Sequence, residues 1–360
     1  MWPDPRLQEL FKIDHPIVQA PMAGAGGSAL AAAVSAAGGL GSLPCAMLTG
    51  DKMRAEMGVI RQRTDRPFNV NFFCHQPAAD EPAAERRWRA RLAPYYSEHG
   101  LDPAAAAEAP NRAPFDADAC AMVEDLRPAV VSFHFGLPAA DLLARVKATG
   151  AQVMSSATTV AEARWLAAHG ADVIIAQGYE AGGHRGMFLD DDLSRQPGTF
   201  ALVPQVVDAV DLPVIAAGGI ADGRGIAAAL ALGAAGVQIG TAYLATSEAT
   251  ISDLHRTALA EASDDASQIT NLFSGKPARG LSTRVMREIG PLSDDTPPFP
   301  TASTALAPLK KAAEANGKTD FSSLWAGQAA ALARPGDAGE VTRRLVAEAG
   351  AHLTRLSRGR

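Results

Sequence analysis

Eight short apolar runs, most of them followed by a stretch of helical pattern, recur through the first two-thirds of the chain, and this alternation leaves few folds open. The runs are Ile17–Ala23, Leu40–Leu43, Phe68–Phe73, Val130–Phe135, Gln152–Ser156, Val173–Ala176, Val214–Ala217 and Val237–Ile239. Several are apolar on both faces, as strands are when helices cover a parallel sheet on each side. Amphipathic helices are expected between them at Ser28–Ala37, Gly50–Arg63, Ala139–Thr149, Val160–His169, Val203–Val210 and Gly223–Leu232.

The turns between these pieces repeat. Thr149-Gly150-Ala151-Gln152-Val153, His169-Gly170-Ala171-Asp172-Val173 and Leu232-Gly233-Ala234-Ala235-Gly236-Val237 each put a glycine where a helix should stop before the next strand. Thr159 and Glu162 have the spacing of a capping box. Eight βα units predict an α/β fold, a TIM (β/α)8 barrel, with the open doubly wound sheet as the alternative because strand order is not written in one sequence. Two stretches are surplus: Pro77–Ala119, read as an elaborated βα connection, and about Thr246 to Pro300, read as a small helical cap after the eighth strand. The expected division is a barrel of residues 1–245 plus about 310–360, and a cap of about 246–309.

Pro16 to Gly50 carries no charged residue and is long enough to span a bilayer, but its glycines and prolines break it into pieces too short for a continuous spanning helix. With 33 basic and 39 acidic residues the net charge is −6, so no overall positive field exists to draw nucleic acid or anionic lipid. Three dispersed cysteines, Cys45, Cys74 and Cys120, frame no disulfide scaffold and match no zinc spacing. These features, with a first segment that lacks an apolar signal core, predict a cytoplasmic protein without metal, membrane or nucleic-acid partners.

Barrel enzymes carry their sites at the C-terminal ends of the strands. The seventh run leads into Gly218-Gly219-Ile220 and the eighth into Gly240-Thr241, turns whose backbone N–H groups can approach a phosphate; tight turning alone is the bland alternative. After the sixth run, Gln177 to Gly186 forms a polar, glycine-rich loop around His184, a candidate for moving a proton near neutral pH. Asn69 and Asn71 share one strand face, and His134 closes an apolar run. Both sites suit either a polar substrate pocket or a buried hydrogen-bonded network. Gly24-Ala25-Gly26-Gly27-Ser28-Ala29 fits a loose dinucleotide fingerprint, yet no carboxylate closes the following strand, so the loop is read as mouth lining with Met22 as a polarizable wall. His-Glu-x-x-His, P-loop and Gly-x-Ser-x-Gly elements do not occur, which leaves the chemistry to a cofactor.

Gln19-Ala20-Pro21-Met22, Phe68-Asn69-Val70-Asn71, Gln177 to Gly186, Ala216-Ala217-Gly218-Gly219-Ile220 and Gln238-Ile239-Gly240-Thr241 together resemble the nitronate monooxygenase family, formerly 2-nitropropane dioxygenases. Asp320 to Gln328 also resembles the family's C-terminal region. The resemblance implies a barrel with a helical domain, bound FMN, and oxidation of alkyl nitronates or nitroalkanes by O2 to carbonyl compounds and nitrite. By motif, Asn71, Gln177, Gly182, Gly219, Gln238, Ile239, Gly240 and Thr241 would hold FMN, beside Met22 and Gly218, and His184 would be the catalytic histidine. Family members active on nitronates often carry tyrosines and a lysine in the segment where this chain has Phe299, Ser303 and Ala307. Related flavin barrels include NAD(P)H:quinone and enoyl-thioester reductases, which form the enzymatic alternative; an inactive flavin- or phosphate-binding barrel is the non-enzymatic one. The outer helices carry no readable dimer signature, and a homodimer stays open.

Overall fold

The strands in chain order are β1 (Ile17–Gln19), β2 (Gly41–Pro44), β3 (Phe68–Phe73), β4 (Val130–His134), β5 (Gln152–Ala157), β6 (Val173–Gln177), the two-residue β7 (Gly183–His184), β8 (Val214–Ala217) and β9 (Gly236–Ile239). All but β7 form one parallel sheet in the order β1-β9-β8-β6-β5-β4-β3-β2. A bridge between Val18 and Leu40 closes it, with Leu40 N donating to Ile17 O and Gln19 N to Leu40 O, each at 2.9 Å. The sheet is therefore a barrel rather than an open layer, and no barrel strand keeps an unpaired edge. The computed structural model of the chain describes residues 2–77, 81–103 and 113–357.

Inward residues fill the barrel from the bottom. Val18, Val130, Val173 and Ile215 pack with Leu7 and Phe11 of the helix Arg6–Phe11, which plugs the N-terminal mouth. Higher up the interior turns polar, with Ser42, Asn69, Asn71 and Ser132 all buried. The C-terminal helix Ala338–Ser357 lies on the barrel helices Gly223–Ala231 and Ser28–Ala36. Among the described residues no helix is long and apolar enough to cross a membrane, no His/Cys/Asp/Glu group could hold a metal, and the three cysteines are free.

Local expectations hold where local chemistry decides. Gly150, Gly170 and Gly233 take φ of 90°, 103° and 93° at the expected helix ends, a region side chains rarely enter. The helix expected at Val203–Val210 runs instead over Thr199–Val207. Its first N–H is capped by the carboxylate of Glu180, 2.8 Å from Thr199 N, a partner nineteen residues upstream that no local pattern shows. At Thr159 the expected box is only half formed. Thr159 Oγ1 accepts from Glu162 N at 3.2 Å, whereas the Glu162 carboxylate reaches Thr158 N and Phe188 N, both at 2.6 Å.

Beyond the barrel, β10 (Ser267–Thr270) and β11 (Ala278–Leu281) pair antiparallel, and β11 also pairs with β7, so the second sheet has the order β10-β11-β7. The helix Ala302–Ala315 packs on the helix Pro82–Glu98 through Trp88, Leu92, Tyr96, Leu306 and Leu309. Trp88 Nε1 donates to Ala302 O at 3.1 Å and Tyr96 OH to Ala305 O at 2.6 Å. The described part of the stretch Pro77–Ala119 thus contributes to the cap core, while residues 78–80 and 104–112 lie outside the described residues. Because position 310 falls inside a helix of that core, we propose a cap lobe that includes all of Ala302–Ala315 together with Pro82–Glu98.

Candidate active site

The loops at the C-terminal ends of the barrel strands and the cap enclose a cavity of about 500 Å3. Met22, Asn71, His134, Gln177, Gly182, His184, Gly218, Gly219, Gln238, Gly240 and Thr241 all line it. Asn69 and Ile239 do not: Ile239 is packed in the barrel core, and Asn69 is buried one layer lower, where its Nδ2 donates to Ser42 Oγ at 3.0 Å and Ser132 Oγ at 2.9 Å. The same face of β3 thus carries one asparagine into the cavity and one into the scaffold beneath it. Asn71 Nδ2 shares Ser132 Oγ at 2.9 Å, which links the two levels.

His184 is held from several sides. Its strand β7 is paired to β11, with His184 opposite Ala278 and Gly183 opposite Arg279, so the cap sets its height. Its carbonyl accepts from Gln177 Nε2 at 2.9 Å and lies 3.2 Å from His134 Nε2. Gln177 Oε1 accepts in turn from Gly186 N at 2.7 Å. A carbonyl can only accept, so His134 Nε2 bears the proton, and its Nδ1, 2.8 Å from Ser156 Oγ, accepts from that hydroxyl. Burial pushes His134 down to about 4, which keeps it neutral in this role. It steadies the loop rather than exchanging protons.

The His184 ring itself meets Ser274, whose Oγ is 2.9 Å from Nε2 and also 3.2 Å from Lys276 O. With the hydroxyl proton on the Lys276 carbonyl, Ser274 receives Nε2–H and places the ring's lone pair at Nδ1. Aromatic rings surround the imidazole: Phe299 and Trp325 at 5.4 Å, Phe135 at 6.1 Å and Phe73 at 6.4 Å. Phe135 reaches this place through a φ of 69°, an unusual conformation for a bulky residue. No local pattern marks Ser274, Phe73 or Phe135 as site residues, and Ser274 is ninety positions from the histidine it touches; Trp325 stands in the family-like stretch Asp320 to Gln328.

At the other side, the turns after β8 and β9 leave the N–H groups of Gly218, Gly219, Gly240 and Thr241 without a protein acceptor among the described residues. Gly218, at φ 114°, has no room for a side chain: a Cβ there would meet Thr199 Oγ1 at 2.9 Å. Gln238 Oε1 is buried without a hydrogen-bond partner. Converging donors at the β8 and β9 ends suit an anionic tail such as a phosphate. The loop at Gly24–Ala29 offers no such place, because Ser28 N is already taken by Glu56 Oε2 at 2.9 Å. Of its glycines Gly24 lines the cavity, whereas Gly26 and Gly27 do not.

The model of the family described as nitronate monooxygenase matches residues 4–348. The chain belongs to the nitronate monooxygenase family. A nitronate monooxygenase of Paraburkholderia phytofirmans is 44% identical over 345 residues, 95% of this chain and 94% of that protein. The solved structure of a nitroalkane oxidase from Streptomyces ansochromogenes superposes with a TM-score of 0.89 at 40% identity, covering 98% of this chain and 99% of the other. FabK from Thermotoga maritima follows at a TM-score of 0.73 and 29% identity, with 98% of each chain covered. As a nitronate monooxygenase family member the chain is an oxidoreductase, and its barrel gathers most of the family's motif positions at one cavity.

Proposed function

We propose that the chain is an FMN-dependent enzyme that oxidises alkyl nitronates with O2 to carbonyl compounds and nitrite. The observation that carries this reading is the fixed imidazole of His184, which shares one cavity with the glycine turns after β8 and β9. A cavity of about 500 Å3 is in the range that encloses a ligand of that size. The free N–H groups at Gly218, Gly219, Gly240 and Thr241, with the orphaned Gln238 Oε1, fit a phosphate tail and a polar neighbour. When bound, FMN supplies the electron transfer between nitronate and oxygen.

The chain's own residues supply placement and proton handling. Gly218, Gly219, Gly240 and Thr241 would bind the phosphate, and Met22 and Asn71 would border the ring system. His184 would take the α-proton of a neutral nitroalkane at Nδ1 or steady a nitronate that arrives ionised, with Ser274 holding Nε2. Phe73, Phe135, Phe299 and Trp325 keep water from the reacting carbon. The likeness to a nitroalkane oxidase, at 40% identity and a TM-score of 0.89, supports the nitronate reading.

Anaerobic mixing of the purified, FMN-supplemented protein with ethyl nitronate, NADH or NADPH tests this. Bleaching of the flavin by nitronate, with nitrite released on admitting oxygen, is expected. Bleaching by a nicotinamide alone would establish the reductase instead, and protein that neither holds nor takes up FMN would remove both.

A further inference from the structure

The loop that carries His184 starts at the end of β6, at Gln177 and Gly178, and is caught again at Phe188 and Leu189, whose N–H groups donate to Glu162 Oε1 at 2.6 and 3.3 Å. One chain of hydrogen bonds joins these two ends. Arg185, the residue after the histidine, is fully enclosed; its Nη1 donates to Gly178 O at 2.6 Å and its Nη2 to Gln177 O at 2.8 Å. The same guanidinium gives Nε–H and a second Nη2–H to Gln196 Oε1, at 2.9 and 2.8 Å. Gln196 Nε2 donates to Thr158 Oγ1 at 2.7 Å, and that hydroxyl donates to Glu162 Oε2 at 2.6 Å.

The chain has a single sense. A guanidinium only donates, and the Glu162 oxygens already face the N–H groups of Thr158 and Phe188. The Gln196 amide is therefore fixed with Oε1 toward Arg185 and Nε2 toward Thr158, and the one hydroxyl proton of Thr158 points at Glu162. Every member is satisfied, so slack at one link is felt along the whole network. Neither Gln196 nor Thr158 lines the cavity, and any effect they have on chemistry must pass through the loop. The route is short: Arg185 N donates to Pro277 O at 2.8 Å and His184 O accepts from Gln177 Nε2 at 2.9 Å, so a shift of Arg185 moves the peptide that carries the imidazole.

We propose that Gln196 is a positioning residue for His184: by coupling Arg185 to Thr158 and Glu162 it fixes both ends of the loop at once and sets the distance from the imidazole to the carbon that gives up its proton. A base displaced by about 1 Å can lose about a hundredfold in rate, so a small slackening of this chain is enough to be read. The inference rests on the function proposed above in naming proton removal from a nitroalkane as the step that feels the distance.

The test uses the flavin-loaded protein, with Gln196→Met and Thr158→Val breaking the chain at the same link from its two sides. On nitroethane kcat should fall about tenfold or more with KM within about twofold, whereas on ethyl nitronate, which has already lost the proton, the fall should be about twofold or less. A merely structural role would lower the folded fraction and scale both substrates alike. The double variant should be no worse than Gln196→Met, because one broken link opens the chain and a second adds nothing. Should Gln196→Met fail to fold, Thr158→Val carries the substrate comparison. Equal losses on the two substrates, or a double variant whose loss is the product of the single ones, would overturn the proposal. The imidazole NMR signals of His184 in isotope-labelled protein, assigned by their absence from His184→Asn, need no turnover and should shift in both single variants. If neither substrate releases nitrite, the proposed function falls and these signals decide the inference alone, unshifted signals overturning it.

Discussion

Ser274 Oγ lies 2.9 Å from His184 Nε2, so a serine of the cap holds the imidazole of a barrel loop. Removing the hydroxyl frees the ring without disturbing the glycine turns. Ser274→Ala should therefore keep its flavin and lose about tenfold in kcat, the worth of one hydrogen bond to a reacting group. Steady-state nitrite release checks this, and an unchanged kcat would mean that the pairing does not orient the histidine.

His184→Asn separates proton removal from electron transfer. With a neutral nitroalkane the loss should be about 10²- to 10⁴-fold, as for a lost general base. With preformed nitronate, from which the proton is already gone, it should be much smaller. Equal losses on both substrates would assign His184 to binding alone.

Neighbouring glycines should respond differently to alanine. At Gly182 a Cβ would meet Gly327 N at 2.5 Å and Ala326 C at 2.6 Å, backbone that cannot step aside. Gly182→Ala should cost about 3 kcal/mol and release flavin. At Gly183, φ is 72° but nothing lies within 4 Å, so the cost should be about 1 kcal/mol. Thermal unfolding of the two variants decides, and similar melting temperatures would count against the close approach of the two loops.

His134 and His255 are each lowered to about 4, chiefly by burial, and are neutral in the folded chain. An unfolded chain takes up these protons near pH 6.5 and the folded chain only near 4, so stability falls as pH falls through that window. The slope should be about 1.4 kcal/mol per pH unit for each histidine. Urea midpoints at pH 7, 6 and 5 measure it, and His255→Leu should make the fall shallower. Midpoints that stay level would show these imidazoles to be solvated.

Asn69→Ala should lower stability by about 1–3 kcal/mol, by orphaning the Ser42 hydroxyl and removing one of the two amide donors to Ser132 Oγ, and leave the flavin spectrum alone. Asn71→Ala should alter that spectrum. A spectral change in the Asn69 variant would bring it into the site.

The alternation of apolar runs and helices, the glycine stops at Gly150, Gly170 and Gly233, and the glycine turns after β8 and β9 were all legible in the sequence, because period and backbone freedom are local properties. Even the histidine of the β6 loop could be singled out from its glycine neighbours. Which asparagine of β3 reaches the cavity could not, since Asn69 and Asn71 share a face and only depth along the barrel separates them. Nor could the start of the helix Thr199–Val207, the pairing of β7 with β11, or the hold of Ser274 on His184. Each depends on a partner brought close by chain closure and cap docking, and the energy of such a contact appears only once both groups have left water together.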